Sequence, residues 1–267
     1  MAVMDAVAQA AFFRTQLGAT LPPLQVAAFE ADLVRANLEF MDPALQQVAA
    51  AAAAAGSPPH DARKAVWAEY HRRVAEVDRL FPVFFTFESA WRALTGEVLK
   101  ARYGGSDAWW HPVRAAVQAG AGSVRLGFLG GVPARNDVIR RVENLLRNQP
   151  PSSRAALATS YDLVGAGTLG DVGWFIDNHW GAVASVFSAP AGGAPTSTQF
   201  AALFRRVREA RNDAYHHRPV PSPKKVVDAA ERLLDLIDVH LGTRVAAVAA
   251  STPAPFAFAL PLQPRHR

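Results

Sequence analysis

Apolar residues recur at spacings of three and four through most of this chain, the periodicity of one helix face. One strong run covers 83–103, where Phe84, Phe87, Trp91, Leu94 and Val98 share a side and Gly104 and Gly105 close the pattern. Another covers 136–148 through Ile139, Val142, Leu145 and Leu146. Over 200–215, at 100° per residue, Phe200, Leu203, Phe204, Val207, Ala210 and Ala214 form an apolar stripe, and Pro219, Pro221 and Pro223 stop it. A very apolar pattern follows over 226–241. Helices are also predicted over 24–41, 43–55 and 62–80. Asp42 and Pro43 are expected to separate the first two, and Asp61 to cap the third. Phe81 and Pro82 bend or break the chain. The stretch 157–164 reads as a helix or a short strand, and 169–187 as a helix weakened by Gly173 and Gly181. The remaining stretches 106–132, 149–153 and 189–198 read as irregular or loop. Strong helix formers dominate and β-branched runs are short, so an all-α fold is expected.

The pattern organises the chain into an N-terminal helical region over 1–80, a helical domain over 81–250 and a proline-rich tail over 251–267. No repeat of solenoid length is present. The absence of cysteine excludes disulfides, thiolate metal sites and a cysteine nucleophile. No run of eighteen apolar residues occurs, and the first residues lack a basic, then apolar, leader pattern, so a cytoplasmic chain with no membrane contact is expected. Net charge is +5, and residues 199–225 hold seven Arg or Lys against two acids, a surplus equal to that of the whole chain. Arginine supplies 24 of the 28 basic residues, which suits bidentate phosphate contacts, although a GC-rich genome produces the same bias.

Three patterns carry candidate chemistry. Gly165, Gly167 and Gly170 form GxGxxG, but a dinucleotide site needs a buried strand before it and an acid about twenty residues later. The preceding Ser160–Val164 stretch is a poor strand and 185–193 holds no acid, so no cofactor is expected. The eight histidines are scattered, without HExxH or an i,i+4 pair beside an acid, so no protein-held metal is expected either. The third pattern is Arg211-Asn212-Asp213-Ala214-Tyr215-His216-His217. An Arg followed after four to six residues by a His arises roughly twice by chance in this composition, so its context must carry the weight. Arg211 falls at the edge of the apolar stripe, where a guanidinium needs an anionic partner, a carboxylate or a phosphate. Tyr215 lies one turn on from Arg211, and Asn212 and His216 share a face if the helix persists. The prolines put both histidines at the last turn. Arg135-Asn136-Asp137 repeats the first three residues with no histidine in reach.

The segment resembles the signature of the HEPN superfamily, and its RNxxxHH form is similar to the abortive-infection and SWT-type branches. Phe87-Glu88, Trp91-Arg92, Tyr103-Gly104 and Trp109-Trp110 resemble an earlier helix of those branches and its end, and Thr168 to Asp171 with Trp174 and Trp180 resembles the helix before the signature. The likeness spans roughly residues 83–247. It implies a HEPN-like helical bundle and a metal-independent endoribonuclease, of a bacterial toxin or phage-defence kind. Such a protein works as a homodimer in which two motifs meet, with RNA as substrate and an antitoxin or defence-system partner. Arg211 would bind and orient the phosphate, Asn212 would position it, and His216 would be the acid or base, with His217 as its rival. Tyr215, Arg208 and Arg218 would contact substrate, and Arg205, Arg206, Lys224 and Lys225 would track RNA backbone. Glu88 would be a partner for Arg211. The competing explanations are ordinary ones: an i,i+4 Glu88–Arg92 pair, a solvated basic helix face, and a histidine answering the carbonyls of a helix end. The alternative function is a non-catalytic HEPN module that binds RNA, a nucleotide or a protein.

Overall fold

The computed structural model describes residues 3–18, 21–188 and 193–242. The proline-rich tail, the last residues expected in the helical domain and four residues of the 189–198 connection lie outside the described residues. Among the described residues the fold is all-α apart from one hairpin of two short strands. It divides into two compact units, the first made of residues up to Phe81 with 210–225, the second of 82–209 with 226–242.

In the first unit α1 (Ala6–Gln16) and α2 (Pro23–Leu33) meet through Phe13 and Phe29, stacked 4.1 Å apart and fully buried. Below them α3 (Leu38–Ala55) and α4 (Ala62–Asp78) close the core with Met41, Leu45, Val48 and Val66. Asp61 caps α4 as expected, its carboxylate accepting from the Lys64 N–H at 2.9 Å. The break expected at Asp42 and Pro43 falls earlier, between Leu33 and Leu38. Asn37 supplies the cap, with its side-chain oxygen 2.9 Å from the Glu39 N–H. Pro43 then lies within α3, where it forfeits one backbone hydrogen bond. Asp42 is buried and does not cap; it accepts from Met4 N–H at 3.0 Å and from Gln46 at 2.7 Å. Helix α1 has no counterpart among the sequence expectations.

In the second unit α5 (Phe81–Arg102) presents Phe84, Phe87 and Trp91 to the interior, where Trp91 meets Phe200 at 4.9 Å and Phe87 meets Phe204 at 5.3 Å. The stretch expected to be irregular contains α6 (His111–Gln118) and a hairpin of β1 (Phe128–Leu129) and β2 (Val132–Pro133). The hairpin turn needs Gly130: a Cβ there would collide with the Tyr103 carbonyl oxygen at the end of α5. Trp109 is buried, stacked on Tyr103 at 5.0 Å and donating to Ser160 Oγ at 3.0 Å. Then come α7 (Asn136–Arg147), α8 (Pro151–Ala156), α9 (Ser160–Gly165), α10 (Leu169–Asn178) and α11 (Trp180–Ala184). The helix expected over 169–187 is thus two helices. They part at His179, whose backbone at φ −123° and ψ 26° leaves the helical region; Asn178 Nδ2 donates to the Trp174 carbonyl and His179 Nδ1 bonds the Phe175 carbonyl, each at 2.9 Å. Gly173 permits close packing, since a Cβ there would stand 3.1 Å from the Phe204 ring. Finally α12 (Ser197–Tyr215) and α13 (Pro223–Asp235) carry residues of both units.

Candidate functional site

The Arg211 segment ends α12. Of the predicted stripe, Phe200, Phe204, Val207, Ala210 and Ala214 are buried and Leu203 is half-buried. After Tyr215 the chain turns by a Schellman arrangement. His217 N–H reaches the Ala214 carbonyl at 3.1 Å and Arg218 N–H the Asp213 carbonyl at 2.8 Å. His217 occupies the left-handed position of this turn, with φ +55°, where glycine is usual. A left-handed conformation costs a non-glycine residue about 1–2 kcal/mol, so other contacts must hold it. One is the Asn37 side-chain amide, which donates to the His217 carbonyl at 2.6 Å while its oxygen caps α3. Beside it Arg218 Nε lies 3.9 Å from Glu39 Oε1.

The candidate residues differ in environment. Arg211 is half-buried; its guanidinium carbon lies 4.0 Å from the Tyr215 ring centroid and its Nη1 donates to Asn212 Oδ1 at 3.4 Å. Tyr215 is 47% exposed and its ring packs on Phe81 at 5.3 Å. Asn212, His216, His217 and Arg218 are exposed. The His216 N–H bonds the Asn212 carbonyl at 3.0 Å, so the helical turn relating those two residues is intact. Among the described residues neither imidazole makes a hydrogen bond. The first unit therefore brings Arg211, Asn212, Tyr215, His216, His217 and Arg218 onto one helix end.

Arg208 belongs to the second unit. It lines a cleft of about 360 Å³ with Arg205, Trp174 and Trp180, and a Cβ on Gly170, in the first turn of α10, would lie 3.8 Å from its Nη1. Arg206, Lys224 and Lys225 are exposed. The Glu88–Arg92 pair is present at 2.6 Å, and Arg92 also donates to the Val164 carbonyl at 2.6 Å and the Gly167 carbonyl at 2.9 Å. That guanidinium stitches α5 to the loop holding the glycine pattern. Helix α9, not a strand, precedes that pattern, and Thr168 caps α10 in a box with Asp171, so GxGxxG here is a helix–loop–helix joint. Among the described residues no group of three His, Asp or Glu lies close enough to hold a metal ion, and no helix is long and apolar enough to cross a membrane.

Two features escaped the sequence reading. In the first unit a cleft of about 340 Å³ lies against the motif, walled by Phe40, Tyr70 and Phe81 and edged by Arg35, Asp78 and His217. Those residues come from separate stretches of chain, and no spacing links them. In the second unit the Tyr103 hydroxyl lies 3.1 Å from His179 Nε2. Burial lowers the His179 pKa and raises that of Tyr103, so the pair is held neutral, with His179 Nδ1–H donating to the Phe175 carbonyl and Nε2 accepting from the tyrosine. Compared with family models, with characterised proteins and with solved structures, the chain matches none.

Proposed function

We propose that this chain is a metal-independent endoribonuclease of the HEPN type, acting through the end of α12 as a homodimer in a bacterial toxin or phage-defence setting. The observation that carries the reading is the concentration of two exposed imidazoles with Arg211 and Arg218 at one helix end. RNA can cleave itself once its 2′-hydroxyl attacks the adjacent phosphorus. A base removes the hydroxyl proton, an acid protonates the departing 5′-oxygen, and a cation stabilises the extra charge on the phosphorane; the products are a 2′,3′-cyclic phosphate and a free 5′-hydroxyl. Imidazole, titrating near neutrality, serves either proton role. Arg211 is assigned to the phosphate, His216 to proton transfer and Asn212 to positioning. A second copy related by a two-fold axis would supply the complementary imidazole and guanidinium. The test is cleavage of single-stranded RNA in the presence of EDTA. Activity in the wild type that is lost in His216→Ala and in Arg211→Ala supports the assignment; activity untouched in both overturns it.

The second reading is a module that binds RNA without cutting it. It is favoured by the imidazoles themselves: among the described residues no carboxylate or carbonyl orients either ring, as a base in a preorganised site is usually oriented. Its signature would be salt-sensitive RNA binding with no cleavage under any condition.

A further inference from the structure

The first eighty residues do more in this structure than pack on themselves. The cleft beside His217 takes most of its walls from them: Phe40 from α3, Tyr70 and Asp78 from α4 and Arg35 from the α2–α3 turn, with Phe81 at the start of α5 and Ala214 of α12 completing it. The Tyr70 hydroxyl accepts from the Asn37 N–H at 3.4 Å, and Phe40 meets Tyr70 edge-on at 6.2 Å, so the aromatic wall is tied to the residue that holds the His217 carbonyl. Phe81 in turn packs against Tyr215, beneath the Arg211 guanidinium.

We infer that this cleft is a nucleobase pocket, which seats one base of the RNA beside the phosphate that the proposed function assigns to Arg211. Its volume of about 340 Å³ suits a single small ring system and is too small for a peptide helix, since sites for small ligands run from roughly 300 to 1,000 Å³. Its walls offer aromatic surface, which stacks on any base. Its rim carries both signs of charge: Arg35 and His217 can meet phosphate and ring acceptors, and Asp78, exposed at the end of α4, accepts from an amino group. A carboxylate at that rim gains from bases with an exocyclic amino group and gains less from uracil, which has none. The N-terminal region thereby contributes base selectivity, while the motif contributes the phosphate chemistry.

The inference rests on the RNA reading, but its test does not require cleavage. Nucleoside 5′-monophosphates of adenine, guanine, cytosine and uracil would be titrated into the full chain by calorimetry, with ribose 5-phosphate as the base-less control. Adenine, guanine or cytosine monophosphate should bind at least about tenfold more tightly than ribose 5-phosphate, with uridine monophosphate weaker. Loss of a stacking wall in Phe81→Leu should weaken binding about 5- to 100-fold. Asp78→Asn, an exposed change that leaves the core alone, should erase the discrimination against uracil. Equal binding of all monophosphates and ribose 5-phosphate to the wild type, or affinities unchanged in both variants, would overturn the pocket. A base-dependent site lost in these variants, in a chain that cleaves no RNA, would keep the pocket and remove the nuclease. RNA cleavage that depends on His216, with no base-dependent binding here, would do the reverse.

Discussion

Arg135-Asn136-Asp137 and Arg211-Asn212-Asp213 are the same three residues at opposite ends of a helix. At the start of α7, Arg135 is the N-cap residue; its Nε donates to Asp137 Oδ1 at 3.1 Å and its Nη2 to Asn178 at 3.1 Å. Asp137 also accepts from the Val138 N–H at 2.9 Å, a carboxylate near the positive end of a helix dipole. Every charge there is answered within a few residues. At the end of α12 the polarity reverses. The negative end of the dipole draws cations, and the chain offers Arg211 and Arg218 with the His216 and His217 imidazoles between them. Arg211 lies over Tyr215, and the imidazoles that follow stand in solvent. A short motif therefore has no fixed meaning. Its position along the helix and the residues after it decide its surroundings: at α7 an Arg135–Asp137 pair, at α12 a tyrosine ring under the arginine and two exposed imidazoles.

The comparison can be broken most decisively by activity. Arg211→Ala and His216→Ala should each lower RNA cleavage by about 10²- to 10⁴-fold, the range for losing a proton-transfer group or a charge stabiliser. Arg135→Ala should leave the rate within a factor of about two, since an exposed pair contributes about 0–1 kcal/mol. Initial rates on one labelled oligonucleotide decide the matter. An equal loss at Arg135 would mean that general basicity, not placement, drives the reaction.

Which parts of this difference were legible beforehand follows from physics. Helices over 62–78 and 136–147 announced themselves, because one face is buried along the whole length and the ends carry capping or breaking residues. The stripe on α12 was equally plain. The break between Leu33 and Leu38 was not: Pro43 is a stronger signal in one dimension than Asn37, yet a proline early in a helix forfeits one bond while Asn37 caps α3 and holds the His217 carbonyl. Short helices such as α6 and α8, of eight and six residues, span too few turns for a helical period to declare itself. The motif was visible because it is contiguous. The cleft beside it was not, because Arg35, Tyr70, Asp78 and His217 are brought together only by folding.

Smaller effects sharpen the contrast in stability. Asn37→Ala should cost about 1–2 kcal/mol in urea unfolding, by uncapping α3 and releasing the His217 carbonyl. Asn37→Asp keeps a capping oxygen and loses only the amide donor, so it should cost less than the alanine change. The N-cap residue of α7, Arg135, makes no capping hydrogen bond with its side chain, so Arg135→Ala should show no comparable loss. His217→Gly should raise stability by about 0.5–1 kcal/mol, because it relieves a left-handed φ at the price of some unfolded-state entropy. The same variant decides between the two imidazoles: cleavage retained in His217→Gly leaves proton transfer to His216, and cleavage lost moves it to His217.

The smallest effect is electrostatic and belongs to the α7 end. Burial pushes the Asp137 carboxyl up, but the Arg135 hydrogen bond and charge, with the Val138 and Asp137 N–H groups, outweigh it and hold the pKa below its ordinary value of 3.8. A carboxylate that titrates lower in the folded than in the unfolded chain favours the fold when ionised. Its contribution is complete above about pH 4 and disappears as pH falls through the folded value. Arg135→Ala should therefore move the Asp137 midpoint upward in a carboxyl-detected NMR titration and flatten the acid-side loss of stability below about pH 4, with little change at neutrality. An Asp137 midpoint unchanged by the substitution would show that the helix N–H groups alone depress it, and the two tripeptides would then differ by dipole more than by arginine.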